Sequence, residues 1–418
     1  MGGLTHLIIF ISIFASITLI SEAQYLLPIN KAEPYKQYYT AFDIGSVEKS
    51  YPTLILDLET KLSWLNCRQL KSLKSLRLIS CKSSTCKSIP GSGCDRKYCQ
   101  YRQPNPLGKP VTGRVVQDKA TFSTTDGGRQ LSQVSLPRFT FSCATQGLSL
   151  PMTGVLGLSP ARESPFWRQV TTAFNVIPKF ALCLPSSVFD PGHFYVGGVN
   201  SYNIPPFNGS NRMPMTLTPL KNIDSGKYVI SVESIYVGGV PLSLNPSLLQ
   251  GGAKISTVVP YTVLQTDIYK ALASAFTREA KKIGMSQVPG MYEFPGLTTT
   301  LFEICFDEGT SKRNVEDFMN VPVIEIGLPG RAGEVKWRFH GANTVVRVLE
   351  TVICLAFVDG GKKPNEPMVI GSHQLQDYMI EFDLSTTRMA FSESLLSHKT
   401  SCSAWPSRSQ SHHSHMSL

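Results

Sequence analysis

Short runs of apolar residues, separated by Gly, Pro and polar turns, recur along the whole chain and predict β-strands. One run at residues 54–56 ends at Asp57, and residues 254–264 repeat this arrangement in the second half. An apolar-apolar-Gly triplet follows each arrangement roughly a hundred residues later, at residues 155–157 and 369–371. We interpret the pattern as an internal repeat, in which two halves of the chain share one architecture.

Two other segments have the pattern of helices. The apolar residues of segment 267–282 form a helical stripe, and residues 165–174 suit a short helix. The cysteine-rich stretch from residue 67 predicts a disulfide-held loop region with little core of its own. The sequence therefore predicts an all-β fold with a few short helices. The predicted strands are residues 38–44, 114–122, 139–143, 180–184, 193–198 and 228–237.

The two ends of the chain are typical of segments outside the folded domains. Residues 7–20 are apolar and residues 21–23 supply a cleavage site, so we predict a signal peptide at 1–23 and a secreted, soluble product. The alternative is a signal anchor, but the apolar run is short for a membrane span and no other long run exists. Residues 403–418 are rich in Ser and His and predict a disordered tail.

Ten cysteines form an even set, which in a secreted chain predicts five disulfides. A metal site is a poor alternative, because the spacings are unsuitable and no His lies among the clustered cysteines. Asn208, followed by Gly and Ser, forms an N-glycosylation sequon and predicts an exposed loop. The cysteines are Cys67, Cys81, Cys86, Cys94, Cys99, Cys143, Cys183, Cys305, Cys354 and Cys402.

Positive charge is concentrated in one part of the chain. The whole chain carries +10, and residues 61–119 alone hold thirteen Lys or Arg against two Asp. Such a surface would attract an acidic polysaccharide or an acidic protein cleft. The alternative is a solvated face without a partner. We expect no nucleic-acid partner, because no recognition motif is present.

Five stretches resemble the plant group of basic 7S globulins, extracellular dermal glycoproteins and TAXI-type xylanase inhibitors, which are homologues of pepsin-like aspartic proteases. They are residues 26–29, 154–158, 254–264, 352–361 and 370–384. The resemblance implies a bilobal, pepsin-like double β-barrel, with lobes at 24–210 and 211–402, secreted to the plant apoplast or cell wall. Its members are mostly non-proteolytic. Several inhibit microbial endoxylanases or xyloglucan-degrading endoglucanases, and others are described as seed or stress proteins.

We also expect one disulfide inside the second lobe of such a protein and one across its lobes, and we expect the six N-terminal cysteines to pair among themselves. The two expected pairs are Cys305 with Cys354 inside the second lobe, and Cys183 with Cys402 across the lobes. The resemblance implies neither a cofactor nor a metal.

The catalytic positions that the resemblance assigns are altered. An aspartic protease needs two carboxylates that share one proton, and its motif is Asp-Thr-Gly. Asp57 keeps one carboxylate, but Leu58 and Glu59 replace the Thr and Gly. The second position is Ser256, whose hydroxyl cannot ionise, and Val258 replaces the second Gly. We predict a non-proteolytic scaffold with Asp57 as a hydrogen-bonded turn residue; the alternative is an atypical protease that borrows Glu59.

One histidine is a candidate for contact with a target enzyme. In xylanase-inhibiting relatives, a His a few residues before the last Cys enters between the two catalytic carboxylates of the target. His398 holds that place here, although Ser397 and Lys399 differ from the relatives. The alternative is an ordinary exposed loop histidine. Tyr101 is a possible counterpart of the protease flap Tyr.

These features predict a secreted inhibitor of microbial glycoside hydrolases that acts by covering the active-site cleft. A storage, stress or binding protein without such a target is the second hypothesis, and an atypical aspartic protease is the third.

Overall fold

The structure is a computed structural model of the chain. The predicted signal peptide at 1–23 and residues 406–418 of the predicted tail lie outside its described residues. Within the described part, no helix has the length and apolar character needed to cross a membrane. The described residues are 24–33, 35–46, 50–69, 75–144, 152–161, 164–198, 201–288, 292–294, 300–307 and 320–405.

Strands dominate the first half, and the helices there are α1 (Ser84–Lys87) and α2 (Phe166–Phe174). The strands are β1 (Gln24–Ala32), β2 (Gln37–Ala41), β3 (Asp43–Ile44), β4 (Thr53–Asp57), β5 (Trp64–Asn66), β6 (Arg77–Leu78), β7 (Gly93–Asp95), β8 (Tyr98–Asn105), β9 (Gly108–Thr125), β10 (Gln130–Ala144), β11 (Gly154–Gly157), β12 (Lys179–Cys183) and β13 (Gly192–Gly197).

The second half has the same character, with α3 (Thr266–Lys282) and α4 (Gly341–Thr344) as its helices. The strands are β14 (Thr216–Lys221), β15 (Val229–Ile230), β16 (Ser234–Val237), β17 (Val240–Pro241), β18 (Ala253–Ile255), β19 (Thr262–Leu264), β20 (Ser286–Val288), β21 (Tyr292–Phe294), β22 (Thr300–Phe302), β23 (Cys305–Asp307), β24 (Ile324–Gly330), β25 (Gly333–Phe339), β26 (Val345–Arg347), β27 (Val352–Leu355), β28 (Phe357–Asp359), β29 (Met368–Ile370), β30 (Met379–Asp383) and β31 (Arg388–Phe391).

The internal repeat is confirmed in the strand pairing. In the first half β11 lies parallel to β4 and antiparallel to β5, and β5 lies parallel to β10. In the second half β29 lies parallel to β18 and antiparallel to β19, and β19 lies parallel to β28. The two halves therefore use the same local topology around the two turns that the sequence singles out.

A continuous set of antiparallel strands joins the two halves. Strand β12 pairs with β13 on one side and with β30 on the other, and β30 continues to β31 and β14. Phe180 of β12 stacks on Phe382 of β30 with ring centroids 5.0 Å apart, and Tyr228 lies 4.4 Å from Phe382. The hydrophobic core thus passes from one half into the other, and the predicted all-β class is confirmed. The lobe boundary near residue 210 falls between β13 and β14 and stays a prediction.

Three expectations about local structure differ from the observed fold. The predicted strand 38–44 is two strands, because β2 pairs with β1 and β4, whereas β3 pairs with β9. The predicted strand 228–237 is two strands, because β15 pairs within the barrel with β14 and β18, whereas β16 pairs in another sheet with β24. The cysteine-rich region also has more core than expected. It contains α1 and β6–β8 and surrounds a buried cluster of Leu62, Ile79, Cys86, Ile89, Cys99, Tyr101 and Val115.

Candidate functional site

The two turns of the repeat meet where the halves of the molecule touch. Asp57 is the last residue of β4, and Ser256 directly follows β18. Thr257 Oγ1 donates a hydrogen bond of 2.6 Å to the Leu56 carbonyl oxygen, so the second turn is bonded to the strand that carries Asp57. Asp57 and Ser256 are 5% and 6% exposed. The sequence correctly predicted that these two turns are counterparts.

A glycine lies behind each turn because the main chain of the turn passes that position at very short distance. A Cβ on Gly157 would lie 2.5 Å from the Thr60 carbonyl oxygen, and a Cβ on Gly371 would lie 2.4 Å from the Tyr261 carbonyl carbon. Any side chain at either position would collide with main chain that cannot move away. The apolar-apolar-Gly triplets of the sequence are therefore explained by close packing of backbone.

A hydroxyl group performs the same task in both halves. The Gly157 amide donates to Ser63 Oγ at 3.0 Å, and the Gly371 amide donates to Thr262 Oγ1 at 3.2 Å. Ser63 and Thr262 each lie six residues after the turn position, Asp57 or Ser256. The symmetry of the two turns therefore extends to individual hydrogen bonds.

Asp57 is held by its own turn. Its Oδ2 accepts a hydrogen bond from Thr60 Oγ1 at 2.6 Å, and its Oδ1 accepts one from the Glu59 amide at 3.1 Å. Burial raises the pKa of the Asp57 carboxyl, while the hydrogen bonds from Thr60 and Glu59 lower it. Both of these hydrogen bonds are local, which is the arrangement expected of a structural turn residue.

Ser256 is occupied in a similar way. Its Oγ lies within hydrogen-bond reach of two amides of its own turn, those of Val258 at 3.3 Å and Val259 at 3.1 Å. A hydroxyl can share no carboxyl proton with Asp57, because it does not ionise at any pH a protein survives. The arrangement supplies one ionisable group where acid–base catalysis by a carboxylate pair requires two.

Glu59, the carboxylate that an atypical protease could borrow, is engaged elsewhere. Its Oε1 lies 2.6 Å from Lys254 Nζ, and the same Nζ lies 3.8 Å from Glu366 Oε2. Glu366 in turn forms an ion pair with Lys227. This chain of alternating charges runs from the first turn into the second half, so the Glu59 carboxylate is paired with Lys254 and links the two halves.

Apolar side chains surround the second turn. Val258 is 8% exposed and belongs to one buried cluster with Ile55, Trp64 and Val155 of the first half. Leu107, at the tip of the β8–β9 hairpin, packs against this cluster. Tyr101 instead packs in the cysteine-rich cluster, whereas Leu107 and Val111 are the hairpin side chains that reach the Val258 cluster. A glycine at position 258 would leave room that valine fills.

His398 lies on the surface at the end of a single 3-10 turn, Leu395–His398. The turn ends at Lys399, whose amide donates to the Leu396 carbonyl at 3.0 Å. The His398 ring contacts the edge of Phe207, with centroids 5.2 Å apart and planes at 73°. The side chain is thus exposed, while the turn that carries it is supported from below.

The support under His398 is a disulfide and a buried carboxylate. Cys183 and Cys402 are bonded, as the resemblance implies, and the Cys402 amide donates to Asp377 Oδ1 at 2.8 Å. Cys402 and Asp377 are both fully buried. Burial raises the pKa of the Asp377 carboxyl, and the Cys402 amide is among the hydrogen bonds that lower it. The loop between residues 395 and 402 is therefore tied at both ends.

All ten cysteines are paired in the structure. Cys305 bonds to Cys354, and the six N-terminal cysteines bond among themselves. The remaining pairs, which the sequence left open, are Cys67 with Cys143, Cys81 with Cys94, and Cys86 with Cys99. Within the described ranges, no group of three or more His, Cys, Asp or Glu is placed to hold a metal ion.

The basic segment, residues 61–119, exposes most of its described Lys and Arg side chains to solvent. Its two acids are already engaged, because Asp95 lies 2.6 Å from Arg114 and Asp118 accepts a hydrogen bond of 2.6 Å from Ser75 Oγ. Asn208 is likewise exposed. The exposed cations of the segment are Arg68, Arg77, Lys82, Lys87, Arg96, Lys97, Arg102 and Lys109.

Sequence reasoning missed three residues that organise the site. Thr257 had a detectable signal, since it keeps the Thr of the Asp-Thr-Gly motif after Ser256. Asp377 follows Gly371, the glycine of the second triplet, but no sequence pattern predicts its contact with Cys402. Lys254 gave no signal, because its partner Glu59 is distant in sequence.

Comparisons with known proteins agree with this architecture. Family models described as xylanase inhibitor N-terminal and C-terminal match residues 38–198 and 227–393. Gamma conglutin 1 of Prunus dulcis is 31% identical, covering 94% of this chain and 95% of its own. Probable aspartic proteinase GIP2 of Nicotiana benthamiana is 29% identical, covering 90% of each chain. The crystal structure of edgp matches with a TM-score of 0.81 at 30% identity, covering 91% of this chain and 97% of its own.

The two family models together match more than half of the chain, and the matched structure has the same fold. The chain therefore belongs to the pepsin-like family of TAXI-type xylanase inhibitors, basic 7S globulins and gamma conglutins.

Proposed function

We propose that this chain is a secreted, non-proteolytic protein that inhibits microbial cell-wall glycoside hydrolases by covering the active-site cleft. The enzyme class is endoxylanase or xyloglucan-degrading endoglucanase. The observation that carries the proposal is the position of His398, which is exposed on a short turn anchored by the Cys183–Cys402 disulfide.

An anchored, exposed histidine suits a cleft that contains two carboxylates. Glycoside hydrolases hold their two catalytic acids about 5–10 Å apart, on either side of the scissile bond. A cationic imidazole that enters between them would be attracted by the negative charge of the carboxylate pair. The disulfide and Asp377 limit the entropy that the loop would lose on binding, which favours affinity.

The non-proteolytic part of the proposal rests on the two turns. Ser256 supplies no second carboxylate, Glu59 is paired with Lys254, and Val258 fills the space of a glycine. Two relatives bear the name probable aspartic proteinase, so proteolysis by an unusual arrangement is the rival function. It requires Asp57 to act with a group other than Ser256 or Glu59.

A storage, stress or binding protein without a glycosidase target is the second candidate. The similarity to gamma conglutin 1 favours it. The same exposed loop would then have no enzyme to bind, and substitutions at His398 would change no inhibition.

Secretion to the plant apoplast or cell wall is part of the proposal. Five disulfides support it, since such frameworks persist in oxidising compartments. The exposed basic residues around β6–β9 would let the protein associate with acidic cell-wall polysaccharide, since the two acids of that segment are already engaged. Bound there, the inhibitor would be held where microbial hydrolases act.

A titration against a panel of fungal and bacterial xylanases and xyloglucanases tests the proposal. We expect at least one enzyme to lose activity at a defined stoichiometry with the purified protein. Absence of inhibition across the panel, both by the purified protein and by a Ser210→Ala form that lacks the sequon, would reject the proposal in favour of the storage or binding function.

A further inference from the structure

Phe207 connects the His398 turn to the predicted glycosylation loop. Its ring meets the His398 ring edge-on with centroids 5.2 Å apart, and the next residue along the chain is Asn208. Adjacent Cα atoms are about 3.8 Å apart, so the candidate contact residue and the sequon lie on one small patch of surface. Neither the internal repeat nor the hydrogen bonds of the Asp57 and Ser256 turns explain why the His398 turn lies beside the sequon.

Buried packing fixes the distance between the two segments. Phe207 and Leu395, the first residue of the His398 turn, belong to one buried cluster together with Tyr202, Met379 and Cys402. The Phe207 amide donates to the Ile204 carbonyl at 2.8 Å. Because interiors are packed as densely as crystals, the patch is a stable feature of the fold rather than a chance approach of two loops.

The sequon adopts a turn that presents its side chain to solvent. Asn208 Oδ1 accepts hydrogen bonds from the amides of Ser210 and Asn211, both at 2.9 Å, which is an Asx turn. The Asn208 amide donates to the Asn211 carbonyl, also at 2.9 Å. With Oδ1 committed to the turn and the residue exposed, Nδ2 is the side-chain atom available for modification.

A cavity of about 490 Å³ opens beside the same side chain. Pro205, Pro206 and Phe207 give it an apolar wall, while Asp126 and Arg129 give it polar groups. Sugar rings combine apolar C–H faces with hydroxyl groups, and a site of this mixed character can accept both. The first sugars of a chain attached to Asn208 would therefore find a complementary surface next to their attachment point.

We propose that an N-linked glycan on Asn208 rests in this cavity and covers His398, so that glycosylation controls access to the histidine. The glycan would come from a lipid diphosphate-linked oligosaccharide. Asn208 Nδ2 forms the bond to the sugar C1, the bond from C1 to the diphosphate oxygen breaks, the diphosphate keeps the electron pair, and Nδ2 loses one proton. The consequence for inhibition rests on the proposed function, whereas the covering of His398 does not.

The test uses the full chain secreted from a eukaryotic host in four forms. Wild type and Ser210→Thr keep the sequon, while Ser210→Ala and Asn208→Gln remove it. Intact mass gives the glycan occupancy, and diethylpyrocarbonate modification followed by peptide mass spectrometry gives the reactivity of His398. Enzymatic removal of the glycan from wild type supplies a comparison within one molecule.

We expect a glycan on wild type and Ser210→Thr, and severalfold faster modification of His398 in the two forms without it and after enzymatic removal. An unmodified Asn208, or equal His398 reactivity with and without the glycan, would overturn the inference. A His398 that is shielded in the glycosylated forms, with no panel enzyme inhibited even by Ser210→Ala, would sink the proposed function but support this inference. Inhibition that depends on His398, without shielding of His398 by the glycan, would support the proposed function and overturn this inference.

Discussion

The hydroxyl of Thr257 donates a 2.6 Å hydrogen bond to the carbonyl oxygen of Leu56, across the junction of the two halves. Thr257 is fully buried. The symmetric position in the first turn is Leu58, which has no hydroxyl to return the bond. One of two possible reciprocal bonds between the turns is therefore present, and it ties the second turn to the strand that carries Asp57.

Thr257→Val should destabilise the protein by about 1–3 kcal/mol, because the Leu56 carbonyl is left buried without this donor. Equilibrium denaturation in guanidinium chloride measures the change. Thr112→Val, on the exposed face of β9, is the matched control and should change stability by less than about 0.5 kcal/mol. Equal effects of the two substitutions would show that the cross-junction bond contributes nothing.

Ser256→Asp should fail to create a protease. Glu59 remains paired with Lys254, and Val258 still fills the space beside the turn. The new carboxyl would instead be buried near Asp57, where two carboxylates cannot both ionise, so the variant should lose more stability at pH 7 than at pH 4. Cleavage of casein in mild acid and denaturation at both pH values measure the outcomes. Casein cleavage that disappears on adding Asp57→Ala would contradict the prediction.

His193 should make the fold less stable in acid. Its Nδ1 donates to the Cys402 carbonyl at 2.8 Å, its ring stacks on Tyr195 and contacts the tilted ring of Trp405, and burial lowers its pKa to about 4. The unfolded chain, with a pKa near 6.5, binds the proton first as the pH falls. This histidine therefore removes stability between about pH 6.5 and 4, on the order of 3 kcal/mol in total.

His193→Asn isolates that contribution, because the Asn amide can still donate to the Cys402 carbonyl but does not titrate. The variant will have lost stacking area, so the slope of unfolding free energy against pH is the readout rather than the absolute value. We expect a smaller loss of stability than in wild type on going from pH 7 to 4.5. Parallel slopes would show that His193 takes no part in acid unfolding.

Removing the Cys183–Cys402 disulfide should loosen the His398 loop as well as the fold. The bond joins residues 219 apart, and the loss of a native disulfide costs about 2–5 kcal/mol. The double variant Cys183→Ala/Cys402→Ala should also show faster hydrogen exchange at residues 395–402. The double variant Cys81→Ala/Cys94→Ala, in the cysteine-rich region, is the matched control and should leave that exchange unchanged. Protection retained in the first variant would mean that Asp377 alone holds the loop.

The architecture of the site could be predicted from sequence, because it depends on features that recur at fixed spacing. Asp57, Ser256 and the glycines at 157 and 371 all follow apolar runs, and the repeat identifies them as counterparts. Close backbone approach leaves glycine as the residue that fits, so the signal is strong. The same reasoning led correctly to the all-β class.

The interactions that decide how the site behaves could not be predicted in this way. Lys254 pairs with Glu59 and Phe207 with His398 across nearly two hundred residues of sequence, and side-chain pairing at such separation leaves no periodic trace. Tyr101 was misplaced for a related reason, since the hairpin register decides which side chain reaches the turn. The division of segment 228–237 between two sheets also depends on tertiary pairing alone.

The proposed role of His398 is tested most directly by the inhibition constant against the hydrolase that the panel identifies. Wild type, His398→Ala and His398→Gln are compared with Lys270→Ala, an exposed residue of α3, all in the Ser210→Ala background that lacks the sequon. We predict that both His398 variants raise the inhibition constant at least about tenfold, or about 1.4 kcal/mol, while Lys270→Ala leaves it unchanged. Inhibition that is undiminished in both His398 variants would contradict the proposal that His398 contacts the active-site cleft of the hydrolase.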